Sequence, residues 1–134
     1  MAEEPIVEEL LTGPYPCCLT TLRRDGTPYS VVVWCNRDRG EITVNAADGV
    51  WLGHLRRDPR ISMVVVDTAN ILRHVSVQGR VSEIAADTDY AHIDSLSRIY
   101  EGRPYAYSRP ADVPRFRVTV EPERIRTLDL SPPA

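Results

Sequence analysis

Hydrophobic and polar positions change period several times along the chain, and each change marks an element. Residues 3–11, EEPIVEELL, put Ile6, Leu10 and Leu11 on one face of a short helix; Pro5 suits its first turn and Gly13-Pro14 its stop. Residues 16–23, PCCLTTLR, and 28–36, PYSVVVWCN, read as two strands of a hairpin around Asp25-Gly26. The Val31-Val32-Val33 run calls for burial on both faces or for an interface on one. A charged turn from Asn36 to Gly40 leads into a third strand, EITVN, at 41–45. The segment 60–66, RISMVVV, is apolar on both faces and belongs in the centre of a sheet. After a loop at Asp67–Asn70, residues 72–84 alternate most clearly. Val75, Val77 and Val81 share one face, and His74, Ser76, Gln78, Arg80 and Ser82 the other. Ile84 falls out of phase, which predicts a bulge near Ser82-Glu83. The polar face is either half exposed or lines a wet cavity. Residues 88–100 form an amphipathic helix capped by Asp87 or Thr88, with Tyr90, Ile93, Leu96, Ser97 and Tyr100 facing inward. A Pro-rich loop at 101–114 carries Tyr105, Tyr107, Arg103 and Arg109, and loops of this kind are often functional. Residues 115–128 make a sixth strand, interrupted at Pro122, and 129–134 a disordered tail. Six mostly sequential antiparallel strands with short flanking helices predict a mainly β fold, a small barrel with helical plugs.

Between the third and fourth strands, Asn45 to Met63 reads as a strand end, a turn at Asp48-Gly49, one short helix and a stop at Pro59. A helix start beside a strand end collects free N–H groups and the positive end of the helix dipole, so it is a natural anion site. Arg56, Arg57 and Arg60 add charge nearby. A phosphate- or carboxylate-bearing cofactor is expected here; the alternative is a plain connection with solvated arginines. Arg56 and Arg57 are contiguous and cannot face the same way on a helix, so one is expected on a ligand and the other in water.

Composition narrows the chemistry. The chain has 134 residues, the length of one domain, with sixteen arginines and no lysine. Every fixed cation is therefore an arginine or a protonated histidine, and lysine Schiff-base chemistry is excluded. Arginine suits planar, bidentate recognition of phosphate and carboxylate. A net charge of −3 argues against a general nucleic-acid binder. No apolar run is long enough to span a bilayer, and the acidic start lacks a signal-peptide pattern, so a cytoplasmic location is expected. Cys17, Cys18 and Cys35 show no metal-ligand spacing, and at least two should be buried apolar residues.

The order of TTLRRDGTPYSVVVW, EITVN, HLRRDPRISMVVVD, RHVSVQGRVSEI and VEPERI resembles the split β-barrel flavoproteins that include pyridoxamine 5′-phosphate oxidase. Within that superfamily it looks most like the deazaflavin (F420)-dependent branch. The likeness runs over about residues 8–128, and LRRDGTP, LRRDPR and VQGRV at these spacings are its most specific pieces. It implies a six-stranded split barrel of the FMN-binding type. It also implies a homodimer with cofactor sites between subunits, and hydride transfer between F420, or alternatively FMN, and a small organic substrate. Neither nucleic acid nor membrane is implied as a partner. One departure stands out. Relatives usually carry a lysine or arginine in the short helix for the cofactor phosphate. Here the run is Gly49-Val50-Trp51-Leu52-Gly53-His54-Leu55, with Trp51 where the cation belongs.

On that likeness, Ser30, Val32 and Trp34 border the cofactor ring or form a dimer core. Asn45, Ala46, Ala47, Val50, Trp51 and His54 line the helix entrance. Arg73, His74 and Gln78 approach the cofactor of the other subunit. His74 is a candidate proton donor or simply a surface histidine, and no catalytic residue is otherwise named. Tyr105 and Tyr107 cover the substrate or pack the loop. His92 is expected to be exposed. The Trp51 departure keeps two alternatives open: a non-catalytic holder of a flavin, haem or lipid-like ligand, or a cofactor-independent enzyme using His74, His54 or Cys35.

Overall fold

The computed structural model describes residues 3–107 and 113–132. Helix α1 (Pro5–Thr12) starts with proline in its first turn and buries Ile6, Val7, Leu10 and Leu11. Strand β1 (Cys17–Leu22) turns at Asp25-Gly26 into β2 (Pro28–Val33), with Gly26 at φ +86°, a conformation that glycine adopts without strain. The remaining elements are β3 (Cys35–Asp38), β4 (Glu41–Ala47), α2 (Val50–Arg57), β5 (Arg60–Val66), β6 (Arg73–Ala86), a 3-10 turn (Thr88–Tyr90), α3 (Ala91–Glu101) and β7 (Arg115–Asp129).

The fold is a mainly β split barrel with short flanking helices. Its seven strands form one antiparallel sheet in the order β2-β1-β5-β6-β7-β4-β3. The count exceeds the sequence expectation by one because the segment 28–36 serves two partners. Pro28 to Val33 pair with β1, whereas Cys35 to Asp38 pair with β4 at the other end of the order. Only Trp34 separates them, so the sheet curls until its two edges lie one residue apart in the chain. Apolar spacing cannot reveal this switch, because both halves are strand.

β5 is central, as its doubly apolar pattern requires, and Ile61, Met63 and Val65 point into the core. Leu10, Leu11, Leu19, Ile42, Val44, Leu52, Val75, Val77 and Val118 complete that core. The β6–β7 ladder shifts register between Val81 and Glu83, where the out-of-phase Ile84 predicts the bulge, and again between Gln78 and Gly79. Pro122 does not end β7. It sits opposite Gly79 at that second irregularity, the kind of place where a strand tolerates a residue without an N–H. Arg73 ties α1, the β5–β6 turn and the end of β7 together through Glu9, Asp67 and Asp129.

The expected tail at 129–134 begins with ordered contacts: Asp129 ends β7, and the Leu130 N–H donates to the Leu72 carbonyl at 3.1 Å. Residues 133–134, and 108–112 of the Pro-rich loop, lie outside the described residues. Among the described residues no helix is long and apolar enough to cross a membrane.

Candidate functional site

A cleft of about 490 Å³ opens where the two halves of the 28–36 segment part company. Its walls come from β2, Trp34, the ends of β4 and β7, the first turn of α2, α3 and the Tyr105–Tyr107 segment. The sequence builds it by a simple device. Trp34 leaves the sheet at the edge switch, and its ring stacks on Tyr100 of α3, with centroids 5.3 Å apart and planes 19° from parallel. The Tyr100 hydroxyl donates to the Tyr15 carbonyl at 2.6 Å and accepts from the Cys35 N–H at 3.1 Å. Burial pushes its phenol pKa far up, so Tyr100 is a fixed, neutral wall. Tyr105 meets Trp34 edge-on at 6.1 Å and is held by its N–H to Asp94 at 2.9 Å. Tyr107 lies 6.4 Å from Trp34 and donates its hydroxyl to Glu101.

The polar end of the cleft is Arg115, the Cα partner of Ala47 across the β4–β7 ladder. Its Nε–H donates to Asn45 Oδ1 at 2.7 Å, and its guanidinium lies 4.9 Å over the Tyr105 ring. Arg37, Arg60, Arg73, Arg80, Arg103 and Arg117 all have carboxylate partners. Arg115 is half-buried and has none among the described residues. Beside it α2 starts at Gly49 without a side-chain cap, which leaves its first N–H groups open.

Of the residues singled out in the sequence, Val32, Trp34, Asn45, Ala47, Trp51, Tyr105 and Tyr107 meet in this cleft. The others lie elsewhere within this chain. Ser30 bonds Thr20 at 2.8 Å on the outer hairpin, Ala46 points into the core, and Val50 is 63% exposed. His54 is turned to Thr21, at 2.9 Å, and to the edge of Tyr29, so it pins α2 to β1. Arg56 covers the Phe116 ring at 4.9 Å, and Arg57 donates to the Leu22 carbonyl. Arg73 holds its three carboxylates, His74 donates from Nδ1 to the Ile71 carbonyl at 3.0 Å, and Gln78 borders a separate hollow with Thr20 and Ser62. Cys17 and Cys35 are buried free thiols, and Cys18 is half-buried. Among the described residues no cluster of three His, Cys, Asp or Glu side chains is placed to hold a metal.

Arg115 and Tyr100 were not legible as site residues. Arg115 reads as one more charge in an alternating strand, and Tyr100 as core.

The expectation that His92 is exposed fails. His92 is half-buried behind Arg115 because Asp87 accepts the His92 and Ile93 N–H groups at 2.8 and 2.9 Å, seating the start of α3 against β4. Its Nδ1 accepts from Asn45 Nδ2 at 2.9 Å and its Nε2 faces Thr43 Oγ1 at 3.0 Å. Burial lowers its pKa from 6.5 to about 4, with the Arg117 charge adding to the effect and Asp87 opposing it. Between those two values the unfolded chain binds a proton that the folded chain refuses, so this contribution is fully present above pH 6.5 and is lost as pH falls toward 4. Denaturant midpoints at about pH 7 and about pH 5 should therefore differ less in His92→Gln than in the parent protein.

Solved structures share this fold. An F420 reductase is 26% identical with a TM-score of 0.81, over 93% of this chain and 98% of that one. A conserved hypothetical protein from Mycobacterium tuberculosis is 25% identical with a TM-score of 0.75, over 96% and 86%. A heme binding protein from Mycobacterium smegmatis is 21% identical with a TM-score of 0.63, over 96% of this chain and 55% of that one, a likeness of fold alone. Comparison with curated proteins finds no match. The family model described as pyridoxamine 5′-phosphate oxidase matches residues 4–129, nearly the whole split barrel, and the chain belongs to that family.

Proposed function

We propose that this chain is an F420-dependent oxidoreductase, with FMN as the alternative cofactor, acting on a small organic substrate in a cleft that a second copy of the chain closes. The observation that carries the reading is Arg115, a half-buried cation on the cleft wall without a carboxylate partner among the described residues. A desolvated charge without a counter-ion is costly, and an anionic ligand removes that cost. The residues present fit such a cofactor. Trp34, Tyr105 and Tyr107 offer faces and edges to a planar ring, and the open N–H groups of α2 together with Arg115 suit its anionic tail. The 26% identity with an F420 reductase favours F420 over FMN.

A bound deazaflavin or flavin would supply the hydride chemistry. The chain's own residues bind, orient and exclude water. Arg115 would neutralise the tail in place of the missing helix cation, and the aromatic walls would hold the ring. Val32, 67% exposed, and Tyr107, 63% exposed, leave an apolar rim for the second copy to cover. His74 lies outside the cleft of its own subunit, so a role as proton donor depends on the partner's site.

Fluorescence titration with F420 and absorbance titration with FMN test this reading, alongside the oligomeric state by sedimentation. Binding of F420 in the micromolar range and a dimer support it. Binding of neither cofactor at up to about a millimolar sinks it. In Trp51→Lys the absent helix cation is restored beside Arg115, and F420 affinity should rise roughly tenfold. A non-catalytic ligand holder is the second reading, favoured by Trp51 itself; it requires tight binding with no redox turnover.

A further inference from the structure

We infer that His92 and Asp87 are positioning residues of the anion site: acting through the Asn45 carboxamide, they aim the Arg115 guanidinium into the cleft. The inference rests on the reading of Arg115 as the ligand's counter-ion and adds the device that holds it there.

Asn45 Nδ2 faces Asp87 Oδ2 at 3.0 Å and His92 Nδ1 at 2.9 Å. A carboxylate only accepts, so one amide proton goes to Asp87. The second goes to His92 Nδ1, which must then be unprotonated, leaving Nε2–H to donate to Thr43 Oγ1 at 3.0 Å. With both amide protons engaged, Oδ1 is left for the Arg115 Nε–H at 2.7 Å. Turning the carboxamide over would set its oxygen against the Asp87 carboxylate and its NH₂ against Nε–H. The network therefore has one satisfied arrangement.

That arrangement spends the Arg115 Nε–H inward and directs the rest of the guanidinium outward over Tyr105, whose hydroxyl accepts from Nη1 at 3.5 Å. Asp87 is held in turn by the N–H groups of His92 and Ile93, so the start of α3 sets the orientation of a side chain on β7. The charged groups that bear on His92 are Asp87 from the segment before α3 and Arg117 from β7, with Arg115 beyond Asn45. The burial that keeps the imidazole neutral, helped by Arg117, preserves the Nδ1 acceptor that the device needs.

The test measures F420 and FMN dissociation constants for the full chain, His92→Phe, His92→Gln, Arg115→Met and the double variant. His92→Phe removes the acceptor and should weaken binding about tenfold. His92→Gln, whose amide again offers one acceptor and donors, should stay within about twofold. In the Arg115→Met background His92→Phe should have no further effect, an outcome that a merely structural role would not produce. Equal effects of His92→Phe with and without Arg115 would overturn the inference. ¹⁵N NMR without ligand provides the independent arm: a protected Arg115 Nε–H signal and an Nε2–H tautomer of His92 are expected, with that protection lost in His92→Phe and retained in His92→Gln. Absence of that protection in the parent protein, or its persistence in His92→Phe, overturns the device. Failure of both cofactors to bind while the NMR signature holds overturns only the cofactor reading.

Discussion

Arg115→Met should weaken F420 binding by roughly tenfold to a hundredfold, the equivalent of losing a charge-assisted contact of about 1.5–3 kcal/mol. This chain has no lysine, and α2 presents Trp51 where relatives are expected to carry a cation. Among the cleft residues Arg115 is the one permanent cation among the described residues. Its loss also leaves Asn45 Oδ1 without its donor and removes the cation lying on Tyr105, so a stability cost of about 1 kcal/mol should accompany the binding defect. Titration at saturating and limiting protein separates the two effects. Arg80→Met is the control, because Arg80 is exposed, paired with Glu123 at 3.4 Å and remote from the cleft lining. Equal affinity of Arg115→Met and the parent protein would refute the role given to Arg115.

Gly79→Ala should destabilise the fold by about 3 kcal/mol or more, near the upper end of overpacking effects. A Cβ at Gly79 would stand 2.1 Å from the Glu121 carbonyl oxygen and 3.0 Å from the Pro122 Cα. Both are backbone atoms, so no side-chain rotamer can relieve the clash. The two longest strands come this close at their register irregularity, and pushing them apart would open the β6–β7 ladder on which the barrel depends. Gly53→Ala makes a clean comparison. Its Cβ would meet nothing within 4 Å, and it lies inside α2, so alanine should stabilise by roughly 0.5–1 kcal/mol. Chemical denaturation of the two variants reads both signs. A mild effect at Gly79 would mean that the ladder yields more than its geometry allows.

These two sites differ in how far they can be read from the chain. VQGRV marks a glycine inside a strand, a pattern that signals a bulge or a close approach, although not which backbone approaches. Arg115 carries no such mark. It is one of sixteen arginines, and its meaning depends on Ala47 standing opposite it and on Asn45, Asp87 and His92 meeting behind it. His92 shows the same limit from the other side. Its helical neighbours leave it on a polar face, and only the seating of α3 against β4 turns that face inward.

The sequence was enough for the antiparallel β fold with short helices, the Asp25-Gly26 hairpin, the central place of 60–66 and the bulge beside Ser82. Each is written in local period or turn chemistry, which acts between neighbours in the chain. It also placed Trp34, Asn45, Ala47, Trp51, Tyr105 and Tyr107 among the candidate residues. The folded chain alone reveals that the 28–36 segment divides between two sheet edges at Trp34. It alone placed the start of β7 beside α2, with Arg115 in the cleft without a carboxylate partner among the described residues and His54, Arg56 and Arg57 on packing contacts instead. Sheet closure and charge pairing join residues far apart in the chain, and no local pattern records which partner each will find.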